Sequence, residues 1–315
     1  MIEVSHLTKR YGGHTAVSDL SFTIEKGRIY GFLGPNGAGK STTMNIMTGC
    51  LAATSGDVKI DGFDIFESPM EAKRRIGYLP EQPPLYMDRT PREYLTFVAR
   101  AKGIPEKQIR QQVERVLEVT QTADVADRLI AHLSKGYKQR VGIAQAILGD
   151  PEVVILDEPT VGLDPRQITE IRELIRTLGQ EHTVILSSHI LSEVQAVCQT
   201  ILILSRGKLV ACDTPKNLEK LFAGTHTVEL TAEGTEKEIR QILSQVPGIG
   251  QLEVTVKDNL CEITLMPESA GETDLCRALF FAFAGAGHAI VRMQTTRASL
   301  EDVFLELTQE KEERE

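Results

Sequence analysis

Tryptophan is absent from the 315 residues, and Phe and Tyr bring the aromatic share to only 5%. That scarcity weakens readings in which the protein stacks rings on sugars or cages a quaternary amine. Long apolar runs are missing too. The most apolar stretch, Ala278–Val291, has 14 residues and is broken by Gly285, Gly287 and His288, whereas a spanning helix needs about 18 or more consecutive apolar residues. The start, MIEVSHLTKR, carries Glu3 and no apolar core, so it does not read as a secretory signal. Five cysteines (Cys50, Cys198, Cys212, Cys261, Cys276) form no C-x-x-C pair; reduced, mostly buried thiols in a cytosolic chain are expected. An excess of positive charge is lacking as well. The 35 Lys and Arg stand against 44 Asp and Glu, a formal net charge of −9, which argues against a nucleic-acid partner.

What is present is ordinary globular usage, 41% hydrophobic and 25% charged, at a length that suits about two domains. Residues 1–33 read as strands and turns, ending in the β-rich run RIYGFL, and Val58–Ile60 reads as another strand. From about Thr90 to Leu148 the pattern is helical, with Thr90 as N-cap, Pro91 at the first helical position and Glu93 at the third. Then VVIL (153–156), TVIL (183–186) and ILIL (201–204) appear as short apolar runs separated by helical segments. Such runs suit parallel strands buried on both faces, hence an α/β domain with a helical insertion. After about residue 222 the pattern changes. Val228 and Leu230 alternate with polar residues, as do Leu252, Val254, Val256, then Cys261, Ile263, Leu265, and later Ala289, Val291, Met293. Ile239, Ile242, Leu243, Val246 and Leu275, Ala278, Leu279, Ala282 fit two helix faces. The order β-α-β-β-α-β predicts a small α+β, ferredoxin-like domain. A last helix is expected from Ser299, burying Leu300, Val303, Phe304 and Leu307, before the charged tail EKEERE.

Two patterns carry chemistry. Gly34-Pro-Asn36-Gly37-Ala38-Gly39-Lys40-Ser41 fits G-x-x-x-x-G-K-[ST] and sits between a predicted strand and a predicted helix. Backbone N–H groups in such a loop approach phosphate oxygens closely, so its side chains must be small. Lys40 is placed to neutralise β- and γ-phosphate charge, and the Ser41 hydroxyl to ligate Mg²⁺, with Thr42 following. The second pattern is Val153–Leu156 running into Asp157 and Glu158. Acids at the end of a buried strand are costly unless they meet a cation, which Mg²⁺ held through Asp157 would supply. Side-chain alternation along the strand would then turn Glu158 elsewhere, toward a water attacking the γ-phosphate. Taken alone, the two acids equally suit a strand emerging into solvent.

These residues resemble the ATP-binding cassette (ABC) family of nucleotide-hydrolysing subunits, over about residues 1–222 and with every motif in order. Leu133-Ser134-Lys135-Gly136-Tyr137 lies where the family signature belongs, 23 residues before Asp157. Gly162-Leu163-Asp164 is similar to the dimer-facing loop, Gln82 to the glutamine that senses Mg²⁺ and nucleotide, His189 to the switch histidine near the γ-phosphate, and Tyr11 to the aromatic that stacks on adenine. The resemblance implies an ABC-type P-loop ATPase domain over 1–222, with a β-subdomain and a helical subdomain at about 85–148, and an accessory domain over 223–315. It implies ATP and Mg²⁺ as cofactors, with Ser41, Gln82 and Asp157 at the metal and Glu158 and His189 in catalysis. It further implies a homodimer whose signature residues Ser134, Lys135, Gly136 and Tyr137 act on the opposing subunit's nucleotide. The family's usual signature is LSGGQ; here Lys135 and Tyr137 replace a glycine and the glutamine. A lysine at a helix start opposes the helix dipole, so Lys135 is read either as a phosphate neighbour or as a solvated side chain.

The ending SLEDVFLELT (299–308) is similar to that of cytoplasmic subunits of exporters with type-2 permeases. It implies a subunit held on the inner face of the cell membrane by a separate permease. Two alternatives stand beside it: a soluble ABC-type ATPase acting on ribosomes or DNA, and a nucleotide-binding scaffold without turnover. The single cassette, the offset of only 94 positions from Lys40 to Ser134, and the negative charge disfavour the first; intact Glu158 and His189 disfavour the second.

Overall fold

The computed structural model describes residues 1–221, 227–257, 260–267 and 272–296. The helix expected from Ser299, the charged tail and the 222/223 boundary lie outside them. The chain divides into two compact units, Met1–Pro215 and one beginning at Lys216.

The first unit opens with β1 (Ile2–Tyr11) and β2 (His14–Ile24), a hairpin whose alternate residues Ile2, Val4, Leu20 and Ile24 are buried. Then come β3 (Ile29–Leu33), α1 (Lys40–Met47), β4 (Ser55–Ile60), β5 (Phe63–Asp64), α2 (Pro69–Arg74) and β6 (Ile76–Leu79). The helical insertion follows: α3 (Pro91–Ala101), α4 (Glu106–Val119), two single 3₁₀ turns, and α5 (Lys135–Ile147). The capping box expected at Thr90 is formed, the Thr90 hydroxyl accepting from the Glu93 N–H while the Glu93 carboxylate accepts from the Thr90 N–H. The cassette closes with β7 (Val153–Leu156), α6 (Pro165–Glu181), β8 (Thr183–Ser188), α7 (Leu191–Val197), β9 (Thr200–Ser205) and β10 (Lys208–Asp213).

Two sheets result. One is antiparallel, ordered β2-β1-β4-β5; the other is ordered β10-β9-β3-β8-β7-β6, parallel throughout except that β10 runs antiparallel to β9. The runs VVIL, TVIL and ILIL are β7, β8 and β9, and every residue of those strands is buried. This is what near-continuous apolar strands covered on both faces require. Because β3, β8 and β7 are parallel neighbours, their C-terminal ends open on one edge of the sheet, where open α/β sheets hold ligands.

The second unit takes up α8 (Pro215–Leu221) from Lys216 and continues with β11 (Thr227–Glu233), α9 (Glu236–Leu243), β12 (Ile249–Lys257), β13 (Leu260–Pro267), α10 (Glu272–Ala286) and β14 (Ile290–Thr296). The expected β-α-β-β-α-β order is present, as an antiparallel sheet ordered β12-β13-β11-β14. Val228, Leu230, Ile263 and Leu265 of the sheet meet Ile239, Leu243, Leu279 and Phe283 of the helices in one core. Three expected inward positions face out, Ala289 just before β14 among them. Val256 is exposed near the end of β12. Val291 is exposed because the β11–β14 register skips it, pairing Thr231 with Arg292 but Ala232 with Ile290. The bulge turns Ile290 and Met293 to the core instead.

Candidate active site

The loop from β3 to α1 wraps the N-terminus of α1, whose first N–H groups have no intrahelical acceptors. Gly39, just before α1, has φ 100°, and a Cβ there would lie 2.7 Å from the Ala16 carbonyl oxygen, so glycine alone fits. The loop is also fastened from outside: the Gly207 N–H donates to the Ala38 carbonyl (3.0 Å), and the Ser18 N–H donates to the Gly207 carbonyl (2.8 Å). The Lys40 ammonium is buried, donating to the Gly34 carbonyl (2.7 Å) and the Pro35 carbonyl (3.3 Å) and lying 3.6 Å from Glu158 Oε1.

The two acids come from the adjoining strand end. The Asp157 carboxylate Oδ1 accepts from the Ser41 hydroxyl (3.1 Å) and from the Ser187 hydroxyl of β8 (2.6 Å), and the Asp157 N–H donates to the Leu79 carbonyl (2.9 Å). Glu158 turns away by a different device from the strand alternation expected. β7 ends at Leu156, and Glu158 adopts a left-handed backbone, φ 47°, a conformation that costs about 1–3 kcal/mol outside glycine. Its N–H donates to Ser187 Oγ (2.8 Å), and its Oε2 lies 3.0 Å from His189 Nδ1. Beside them the Tyr78 hydroxyl donates to Asn45 Oδ1 (3.1 Å); burial first, then the Asp157 charge, push the Tyr78 phenol's pKa up, so it stays protonated.

These groups face a cleft of about 480 Å³ lined by the β1–β2 hairpin (Tyr11, His14, Ala16), the loop residues Asn36, Gly37, Ala38 and Gly39, then Lys40, Ser41 and Thr42, and Glu81, Glu158, Val161 and His189. Asp157 sits behind Ser41, outside the lining. Gln82 is exposed, and its neighbour Glu81, not Gln82, is among the lining residues. His14, Glu81, Ser187 and Val161 carry no sequence signal of their own; they belong to the site only because the topology delivers them there.

The signature lies at a second cleft, of about 620 Å³, that includes Ser134, Gly136, Tyr137, Asp164 and Gln167. Ser134 caps α5, its hydroxyl accepting from the Tyr137 N–H (3.4 Å), and Asp164 caps α6, accepting from the Gln167 N–H (2.9 Å). The exposed Lys135 lays its ammonium against Gly162. The Tyr137 hydroxyl donates to the Asp124 carboxylate (2.8 Å), which pushes the phenol's pKa up.

A strand, a glycine-rich turn and a helix N-terminus with a buried lysine at its mouth form a cradle for a nucleotide's phosphates. Fold and cleft together define a P-loop ATPase. The profile of the family described as ABC transporter matches residues 17–161. Over 98% of its length the chain is 32% identical to the linearmycin resistance ATP-binding protein LnrL of Bacillus subtilis (98% of that protein). Over 67% of its length it is 42% identical to the bacitracin transport ATP-binding protein BcrA of Bacillus licheniformis (68% of that protein). It also matches the solved dimeric, post-hydrolysis ATP-binding cassette MJ0796 bound to ADP and Pi, at 25% identity and TM-score 0.61, over 68% of this chain and 98% of that one. The chain belongs to the ABC transporter family as an ATP-binding subunit, and it is an ATPase. Among the described residues no helix is long and apolar enough to cross a membrane. The alternative of a ribosome- or DNA-acting ATPase finds no support in these relatives.

Proposed function

We propose that this subunit powers export through a separate membrane permease, and that Glu158 and His189 carry its hydrolysis chemistry. The single observation that supports the roles most is the position of the Glu158 carboxylate, 3.6 Å from Lys40 Nζ and 3.0 Å from His189 Nδ1 at the mouth of the phosphate loop. Glu158 orients and deprotonates the attacking water, and His189 fixes the carboxylate and meets the γ-phosphate. Lys40 and the N–H groups of Gly37 to Thr42 hold the phosphates, Asn36 and Gly34 shape the loop, and Tyr11 stacks on the base. The Ser41 hydroxyl and the Asp157 carboxylate, 3.1 Å apart, are oxygen donors of the kind Mg²⁺ takes; Gln82 is the third residue assigned to it. When bound, the ion would neutralise charge on the phosphates.

Two copies would close on two nucleotides about a two-fold axis, each presenting Ser134, Lys135, Gly136, Tyr137 and Asp164 to the other's site. The likeness to a cassette solved as a dimer supports this. Relatives named for bacitracin and lantibiotic transport support a transport role, and one named for Nod factor export supports the export direction. The permease would dock near Gln82 and the helical insertion at about 85–148, where the exposed Tyr86 and Phe97 rings lie 5.5 Å apart. The subunit then sits on the cytoplasmic face of the membrane, with 1–222 as ATP-binding domain and 223–315 as accessory domain. The test is Glu158→Gln, which keeps shape and loses charge. ATP should still bind while turnover falls by about 10² or more, and the variant should accumulate as an ATP-bound dimer in sedimentation. Turnover near that of the parent protein would sink the assignment.

A further inference from the structure

We infer that Glu193 is a positioning residue for hydrolysis, tying the segment after Glu158 and the segment around His189 to one rigid post. The inference rests on the reading that those two side chains act at the γ-phosphate. Glu193 is a buried carboxylate, 4% exposed, that takes no part in the cleft lining. Burying a carboxylate is costly unless its oxygens are hydrogen-bonded. Here Oε2 accepts from two hydroxyls, Thr160 Oγ1 at 2.5 Å and Ser188 Oγ at 3.0 Å. Thr160 stands two residues after Glu158, and Ser188 immediately precedes His189.

Both donors sit where the chain is irregular. The Thr160 segment leaves Glu158 in its left-handed conformation and turns back through bonds from the Val161 N–H to the Glu158 carbonyl and from the Leu163 N–H to the Thr160 carbonyl. Ser188 ends β8, and its hydroxyl also accepts from the Ile190 N–H at 3.0 Å, so one oxygen spans His189 from both sides. Glu193 itself cannot drift. It lies on α7, whose Val194 is fully buried against Gly31 of β3 so closely that a Cβ on Gly31 would collide with it. β3 is the strand that delivers the phosphate loop. The carboxylate therefore references both reactive segments to the phosphate-binding strand. It is absent from the cleft lining and reaches the reactive segments only through the Thr160 and Ser188 hydroxyls, which makes its action indirect.

The experiment is steady-state ATPase kinetics and nucleotide titration on the full chain carrying Glu193→Ala, Glu193→Gln, Ser188→Ala or His189→Ala, with folding checked by far-UV circular dichroism. Misplacing reacting groups by a fraction of an ångström to an ångström costs up to about 100-fold. Glu193→Ala is thus expected to lower kcat about 10–100-fold while ATP affinity is kept, because the phosphate loop and Tyr11 are untouched. Glu193→Gln, whose amide oxygen can accept both hydroxyls, should recover most of that loss. Ser188→Ala should reproduce the loss in part, and it carries the test if Glu193→Ala fails to fold. Unchanged kcat in a folded Glu193→Ala or in Ser188→Ala overturns the proposal, as does an equal fall of kcat and ATP affinity in the Ala and Gln variants. Low turnover in His189→Ala beside full turnover in Glu193→Ala overturns the proposal alone. Full turnover in His189→Ala overturns the underlying reading and the proposal with it.

Discussion

Removing the Lys40 charge should loosen the phosphate loop before any nucleotide arrives, and the loss should depend on Glu158. The ammonium and carboxylate are 3.6 Å apart with side chains only 6% and 8% exposed. At an effective dielectric of about 20 their attraction is about 4–5 kcal/mol, and desolvation of both charges offsets much of it. Lys40→Met strands the buried carboxylate, and it also removes the donor to the Gly34 and Pro35 carbonyls. A cost of about 3–5 kcal/mol is expected for such a broken pair. Glu158→Gln removes the partner charge, so in Lys40→Met/Glu158→Gln the stranded charge is gone while the orphaned carbonyls remain. The two effects should therefore fall short of additivity by about 1–3 kcal/mol. The assay is amide hydrogen exchange at α1 without nucleotide or magnesium, which reads opening of that element apart from the second unit. Additivity within about 0.5 kcal/mol would refute the coupling.

Shared sites predict complementation: a mixed dimer of Ser134→Arg and Lys40→Ala subunits has one site with both defects and one with neither, so it should regain part of the turnover that each mutant homodimer lacks. No recovery, with mixed dimers demonstrated by differential tagging, would count against sites built across two subunits. In the helical insertion, Thr90→Ala removes the capping hydroxyl of α3 and should cost about 0.5–2 kcal/mol in exchange protection of that helix, with Thr90→Ser close to neutral.

The parts of the site that were legible in the sequence are those where chemistry and local spacing coincide. A glycine-rich turn must have small residues in fixed order, and a strand buried on both faces must be apolar, so Gly34–Ser41 and Val153–Leu156 announce themselves. Thr90 and Glu93 did likewise, because a capping box is wholly local. Glu158 stands out in the sequence beside Asp157, and its side chain lines the cleft, but strand alternation gives the wrong reason for its direction, and a left-handed φ at a glutamate has no sequence signal. Ser187, Ser188 and Glu193 were invisible for another reason. A serine ending an apolar strand looks like any strand end, and its importance comes from which parallel neighbour lies beside it. Val291 shows the same limit in the second unit. Its alternation was intact on paper, and one skipped pairing turned it outward.

The clip at Gly207 bears on the timing of nucleotide exchange. With the phosphate loop bonded through Ala38 to the β9–β10 turn and from there to Ser18 of β2, its shape is set by the scaffold and not by the nucleotide. Ordering a loop residue costs about 1–2 kcal/mol of backbone entropy, and a loop already held has little of that left to lose on binding. Capture of a triphosphate then needs no rearrangement of the cradle, and discharge of the diphosphate yields no compensating gain in loop freedom. In the proposed dimer, the lifetime of the bound product would accordingly be governed by how far the two halves of the site part, a motion between subunits and not within the loop.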